Sequence, residues 1–246
     1  MRMVDLTAGT PAERARNRER GDLAWPEASV LGRLGPPARA RLLSLGSLAQ
    51  YPAAGRVLIR EGEETTFVMI LIDGVVKATA LTQDGRDALL AVRMGGDLVG
   101  ELSAVDGGPR SATVTTCGAL VARVVSRAEF LDCTRRDPQI AHIINTSVVA
   151  KLRNANRRRV EFTGCDVRTR LARVLHQTAV TYGVESGQGI LVTWPLTQPE
   201  IATLAGAAEP TVHKVLRALR DEGVVSTGYR SIRVLDVHRL YAIAYP

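Results

Sequence analysis

Residues Gly100–Val114 read GELSAVDGGPRSATV. Glu101 follows a glycine, Arg110 lies nine residues beyond it, and the turn-forming run Asp106–Pro109 separates the acid from the base. A phosphate is recognised by a planar guanidinium fork and by backbone N–H donors that small side chains leave uncovered. Arg110 supplies the fork. Ser111 and Ala112 keep the following backbone accessible, and Ser111 adds a hydroxyl. A sugar hydroxyl beside the phosphate needs an acceptor, which Glu101 provides, and Gly100 lets the chain come close. The stretch predicts a pocket for a phosphate joined to a ribose. If the chain has no ligand and the pocket is vestigial, Glu101 and Arg110 are expected to pair with each other inside the loop.

On both sides of this stretch the sequence is β-like. From about Pro52 to Phe130, runs rich in Val, Ile, Leu and Thr alternate partially and are punctuated by glycine turns, Asp73-Gly74 and Asp84-Gly85 among them. Aspartate followed by glycine between apolar runs is a strong hairpin signal. Several such strands at short spacing predict a compact antiparallel roll. PPARARLLSLGSLAQ, before it, reads as a short helix, and residues 1–25 read as a polar tail expected to be unstructured.

With 246 residues and 46% hydrophobic content, the chain has the size of two domains with real cores. No run approaches the ~20 apolar residues of a membrane span, and the N-terminus lacks the apolar region of a secretory signal. Three widely spaced cysteines, Cys117, Cys133 and Cys165, support neither a disulfide framework nor a zinc site, so a reducing, cytoplasmic setting is expected. Residues 1–139 carry 18 Lys and Arg against 17 Asp and Glu, whereas residues 140–246 carry 14 against 8. The surplus of +6 in the second part points to an anionic partner there, nucleic acid before membrane. No nucleophile–base pair, metal cluster or phosphate-binding Walker loop suggests an enzyme.

From Asp137 the period changes. Ile140, Ile144, Val148 and Leu152 recur at four-residue spacing, predicting one long helix over 137–163 whose apolar stripe suits a partner helix of a second copy. The alternative is packing on its own roll. TGCD (Thr163–Asp166) ends this helix with Gly164 as hinge. VRTRLARVLHQTAVTYG then reads as helix and is followed by a polar, glycine-rich turn.

In Leu196–Val225, Thr197 and Glu200 form a Thr-x-x-Glu capping box that opens a helix with Pro199 in its first turn. Ile201, Leu204 and Ala205 are its apolar face and Gly206 supplies the turn. A second helix from Pro210 turns Val212, Val215, Leu216 and Leu219 inward. Two short helices so joined make a helix-turn-helix. The second presents Glu209, Thr211, His213, Lys214 and Arg217 outward, chemistry suited to base edges and phosphates. GVVSTGYRSIRVLD reads as a β-hairpin wing adding backbone contacts through Arg230 or Arg233. Thr197, at the start of the motif, completes the predicted DNA-facing set.

GEL (Gly100, Glu101, Leu102) with PRSA (Pro109–Ala112), a long helix and a winged helix-turn-helix follow one another in an order that resembles the cyclic AMP receptor protein/FNR family of bacterial transcription regulators. The resemblance runs from about residue 30 to 240. It implies an α+β fold: an antiparallel cyclic-nucleotide-binding β-roll (26–136), a dimerisation helix (137–163) and a winged helix-turn-helix (164–246). It implies no obligatory cofactor, with cyclic AMP or a related cyclic nucleotide as effector. The implied partners are double-stranded DNA carrying a pseudo-palindromic operator, a second copy of the chain, and RNA polymerase. By the resemblance Glu101 binds the ribose 2′-hydroxyl, while Arg110, Ser111 and nearby amides hold the cyclic phosphate.

The sequence also departs from the family pattern. The adenine-contacting threonine and its successor correspond to Ala155 and Asn156, of which only Asn156 can read a purine edge. The Arg-Glu pair and following Arg of the recognition helix correspond to Glu209, Pro210 and Lys214, so a different operator is expected. The family's iron–sulfur branch is excluded by the absence of N-terminal cysteines. A haem-sensing branch is disfavoured, since no histidine precedes His142. The alternative reading is a ligand-independent or thiol-gated regulator of the same fold.

Overall fold

A computed structural model describes residues 10–20, 24–83, 85, 87–193, 196–228 and 231–246. They fall into two units, one ending at Lys151 and one beginning at Leu152.

The first unit opens with helices α1 (Pro11–Arg20), α2 (Val30–Arg33) and α3 (Pro36–Leu43). Strands β1 (Ser47–Tyr51), β2 (Val57–Ile59), β3 (Val68–Asp73), β4 (Val75–Leu81), β5 (Asp87–Met94) and β6 (Leu98–Val99) follow. A short helix α4 (Glu101–Asp106) interrupts the strands before β7 (Thr113–Thr116) and β8 (Leu120–Val125). The strands make two antiparallel sheets, ordered β1-β8-β3-β6 and β2-β7-β4-β5. All six residues of β3 are buried, because both faces of this strand are covered. Met69 and Leu71 join Val76, Val114, Leu120 and Ala122 in a cluster formed from both sheets. Val68, Ile70 and Ile72 face the other way, against Leu31, Leu34, Leu42, Phe130, Ile140 and Ile144. The period-two alternation of a strand therefore serves two cores at once.

The Asp73-Gly74 turn is present, with Gly74 at φ +105° and a Cβ there 2.6 Å from the Ala119 carbonyl oxygen, but it closes no hairpin: β3 and β4 belong to different sheets, and the turn carries the chain from one sheet to the other. Gly85 also has a positive φ, while its neighbour Asp84 lies outside the described residues. The stretch read as one short helix divides into α3 and β1, with Gly46 (φ +56°) between them. Residues 11–20, read as part of an unstructured tail, are the helix α1. Thr10 and Glu13 close a reciprocal capping box, with Thr10 N donating to Glu13 Oε2 at 2.7 Å and Glu13 N to Thr10 Oγ1 at 3.2 Å. Arg14 and Arg18 of α1 both engage Asp73, at 2.9 and 3.3 Å, and Asp73 is wholly buried.

After α5 (Arg127–Arg136), whose Ser126–Glu129 capping box is complete, comes the long helix α6 (Pro138–Gly164). The single stripe expected on α6 is two. Ile140 and Ile144 belong to the core of the roll, whereas Val149, Leu152 and Val160 are 44%, 59% and 69% exposed. The four-residue spacing of Ile140 to Leu152 drifts around a helix of 3.6 residues per turn, so its ends face different surroundings.

The second unit holds α7 (Val167–Tyr182), β9 (Val184–Ser186), β10 (Gly189–Thr193), α8 (Gln198–Ala205), α9 (Glu209–Asp221), β11 (Val225–Gly228), β12 (Ser231–Val234) and α10 (Val237–Ala244). Asp166 caps α7, its carboxylate accepting from Thr169 N at 2.7 Å. The region read as a glycine-rich turn is the hairpin β9–β10, which extends the wing into a sheet ordered β11-β12-β10-β9. Gly189 (φ +111°) makes its turn.

Candidate functional site

Gly100 is the hinge point of the first site. It caps α4 in the left-handed region (φ 83°), and a Cβ there would lie 2.7 Å from Arg110 Nη1 and 2.9 Å from the Phe67 carbonyl oxygen. Only glycine fits both constraints. Gly107, also left-handed (φ 74°), ends the helix, and the Asp106 carboxylate accepts from Gly108 N at 2.9 Å to shape the loop leading to Arg110.

Glu101 and Arg110 are both buried, at 4% and 3% exposure, and they do not make the pair expected of a chain that has no ligand. Arg110 donates from Nε to Thr65 Oγ1 at 2.9 Å, from Nη1 to the Gly100 carbonyl at 2.9 Å and from Nη2 to the Phe67 carbonyl at 2.8 Å. Its guanidinium carbon sits 4.6 Å from the centre of the Phe67 ring. Glu101 instead accepts from Lys151 Nζ at 2.8 Å, and the same ammonium donates to the Leu98 carbonyl at 3.0 Å. With three backbone or hydroxyl acceptors already around it, Arg110 has no need of the carboxylate, and a lysine on α6 fills that role. Burial pushes the Lys151 ammonium below the usual lysine range, with Glu101 opposing. Burial also pushes the nearby Asp97 carboxyl up, against the pull of Arg93 and Lys151. Lys151 was absent from the sequence-based set. Its place on α6, seven residues after Ile144, is readable in the sequence, but nothing local marks Glu101 as its partner.

Ser111 and Leu102 are exposed beside these two charges, Leu102 at 43%. Asn156 is exposed on α6 in the second unit, between Leu152 and Val160. The thiols offer little. Cys117 and Cys133 are buried, and burial raises the Cys133 thiol above its ordinary range. Cys165, half-buried, accepts from Arg173 Nη1 at 3.4 Å.

The second site lies on α8, α9 and the wing. Thr197 N and Oγ1 both donate to Glu200 Oε2, at 2.7 and 3.0 Å, closing the expected capping box. Gly206 (φ 60°) ends α8, and a Cβ there would strike the Phe162 ring at 2.6 Å. Arg170 holds this turn together, donating to the carbonyls of Ala205 (2.8 Å), Gly206 (3.0 Å) and Cys165 (2.5 Å) while stacking over Phe162. On α9, Val212, Leu216 and Leu219 are buried and Val215 is half-buried. Glu209, Thr211, His213, Lys214 and Arg217 are exposed, with His213 Nε2 standing 3.5 Å from Glu209 Oε1. Arg220, not among the expected residues, donates to Thr227 Oγ1 of the wing at 3.0 Å. Arg230 lies outside the described residues. Arg233 turns to the β9–β10 hairpin, donating to Ser186 Oγ and Gln188 Oε1 at 3.2 and 3.3 Å.

Comparison with known proteins follows the same division. Residues 50–137 match the family described as a cyclic nucleotide-binding domain, and residues 169–243 match the Crp-like helix-turn-helix domain. The chain is 32% identical over 213 residues to a CRP-like cAMP-activated global transcriptional regulator of Mycobacterium tuberculosis, covering 87% of this chain and 95% of that protein. It is 28% identical over 195 residues to the cyclic AMP receptor protein of Thermus thermophilus, covering 79% and 87% of the two chains. Among solved structures, FixK2 from Bradyrhizobium japonicum superposes with a TM-score of 0.71 at 20% identity, covering 82% of this chain and 98% of that one. At that identity the likeness concerns the fold.

Proposed function

Because the chain belongs to the cyclic AMP receptor protein/FNR family of transcription regulators, we propose that it is a homodimeric, sequence-specific DNA-binding regulator controlled by a cyclic nucleotide, cyclic AMP in the first instance. Its relatives are regulators rather than enzymes, and the chain carries both the nucleotide-binding and the helix-turn-helix domain. The observation that carries the proposal is the Glu101–Lys151 pair. A ribose hydroxyl that donates to Glu101 shares its acceptor with an ammonium on α6, so occupancy of the roll alters a contact of the helix that continues to the DNA-binding unit. A ligand shifts the active setting only by its differential affinity for the two settings, typically ~1–3 kcal/mol.

The exposed Val149, Leu152 and Val160 are the surface on which we place the second copy. Spacings of three and eight residues put the three on one face of the helix. Asn156 falls between them, where it would meet the partner helix as well as a purine edge. Two recognition helices so joined would read a pseudo-palindrome with half-sites about one helical turn, roughly 34 Å, apart. Glu209 would accept from cytosine, and Lys214 and Arg217 would contact guanine or phosphate.

Calorimetric titration with cyclic AMP is the test, with cyclic GMP and Arg110→Ala as controls. Saturable micromolar binding, lost in Arg110→Ala and accompanied by tighter operator binding, is expected. Binding without any change in DNA affinity, or a monomer at working concentration, would remove the allosteric reading.

A further inference from the structure

Resting on that reading of the pocket, we infer that Thr65, assisted by Phe67, is a positioning residue for phosphate recognition. Neither belongs to the GEL–PRSA stretch. They lie on the segment between β2 and β3 that wraps Arg110. This segment first fixes the backbone of Arg110: Gly62 N donates to the Arg110 carbonyl at 2.9 Å, and Arg110 N donates to the Glu63 carbonyl at 2.8 Å. It then fixes the side chain. Of the three acceptors around the guanidinium, the Gly100 and Phe67 carbonyls belong to the main chain, and Thr65 Oγ1 is the one supplied by a side chain. The Phe67 ring packs against the guanidinium face at 4.6 Å, a cation–π arrangement that keeps the plane from rocking.

The donor count gives this arrangement its purpose. A guanidinium has five N–H groups. Three are committed to Thr65, Gly100 and Phe67, leaving one on each terminal nitrogen. Two is the number a bidentate contact to a pair of phosphate oxygens uses. Holding the fork beforehand avoids the ordering cost that a free arginine meets on binding. Glu63 and Glu101 add favourable charge but no side-chain hydrogen bond to the guanidinium, so they do not set its orientation.

Thr65→Val keeps the shape and removes the acceptor. It is expected to weaken cyclic AMP binding about tenfold, the worth of one hydrogen bond to a charged donor. Thr65→Ser, which restores the acceptor, should bind as the wild type does, and Phe67→Leu should weaken binding about threefold through loss of the cation–π contact. A local destabilisation could also lower affinity, so a stereochemical readout is paired with it. The Rp and Sp phosphorothioates of cyclic AMP each replace one exocyclic oxygen. If Thr65 orients the fork, the affinity ratio between them narrows in Thr65→Val and returns in Thr65→Ser. An unchanged ratio, or wild-type affinity in Thr65→Val, overturns the inference while leaving the pocket reading intact. Wild-type protein that binds no cyclic nucleotide overturns both.

Discussion

At the scale of single residues, the two charges that the sequence singles out are both buried, but their partners come from elsewhere. Glu101 and Arg110 were legible because their residue types, their spacing and the glycine before Glu101 speak to one chemistry. Lys151 and Thr65 were not, because each reaches its partner across about fifty residues of sequence, and no local pattern marks such a meeting. Removing one member of the Glu101–Lys151 pair has a definite cost. Lys151→Met leaves a carboxylate at 4% exposure without its cation and should lower unfolding free energy in urea by about 3 kcal/mol. The double change with Glu101→Gln should recover most of that loss, since the uncompensated charge is then gone. Asp166 gives a pH test. Its hydrogen bond from Thr169 N holds the carboxyl below the ordinary value of 3.8. The cap therefore contributes fully above that value and is lost as pH falls through the lowered folded value. Asp166→Asn keeps an acceptor that does not titrate. Melting temperatures followed into acid should fall less steeply in this variant than in the wild type.

Among elements, strands and helices with a regular period were read well, and those defined by a single pairing were missed. β3, α6 and α9 declare themselves through apolar repeats. β9 and β10 are short, and glycine and polar residues obscure the three-residue β9; its register comes from β10, not from its own composition. α1 is the opposite case: Thr-Pro-Ala-Glu (Thr10–Glu13) carries the same capping signal as Thr-Gln-Pro-Glu (Thr197–Glu200), and the surrounding charge masked it. On α8 the decisive position is Gly206. Gly206→Ala must adopt φ 60° and meet the Phe162 ring at 2.6 Å. Thermal unfolding should show a loss of about 1–2 kcal/mol, with part of it returned when Phe162 is also shortened to leucine. On α6, Leu152→Glu combined with Val160→Glu should turn the dimer we propose into a monomer in sedimentation velocity, with helical content unchanged in circular dichroism.

For the molecule as a whole, the uneven charge is the feature that composition alone made plain, and it bears on how DNA is held. The surplus of +6 beyond residue 139 predicts binding that weakens steeply with salt. Lys214→Ala should reduce the slope of log affinity against log salt by about 1 if the ammonium meets a phosphate. An unchanged slope with altered base preference would make it a base reader instead. The docking of α1 carries a practical consequence of another kind. Asp73 is wholly buried and answered by Arg14 and Arg18, both from a segment that precedes either matched family region. A chain trimmed to begin at Trp25 would look conservative by alignment, yet it would strand a carboxylate inside the roll with both of its cations cut away. Such a trimmed protein should express poorly or melt early, and Asp73→Asn should rescue it. A failure to bind nucleotide by that shortened form would then report on the trimming and not on the pocket.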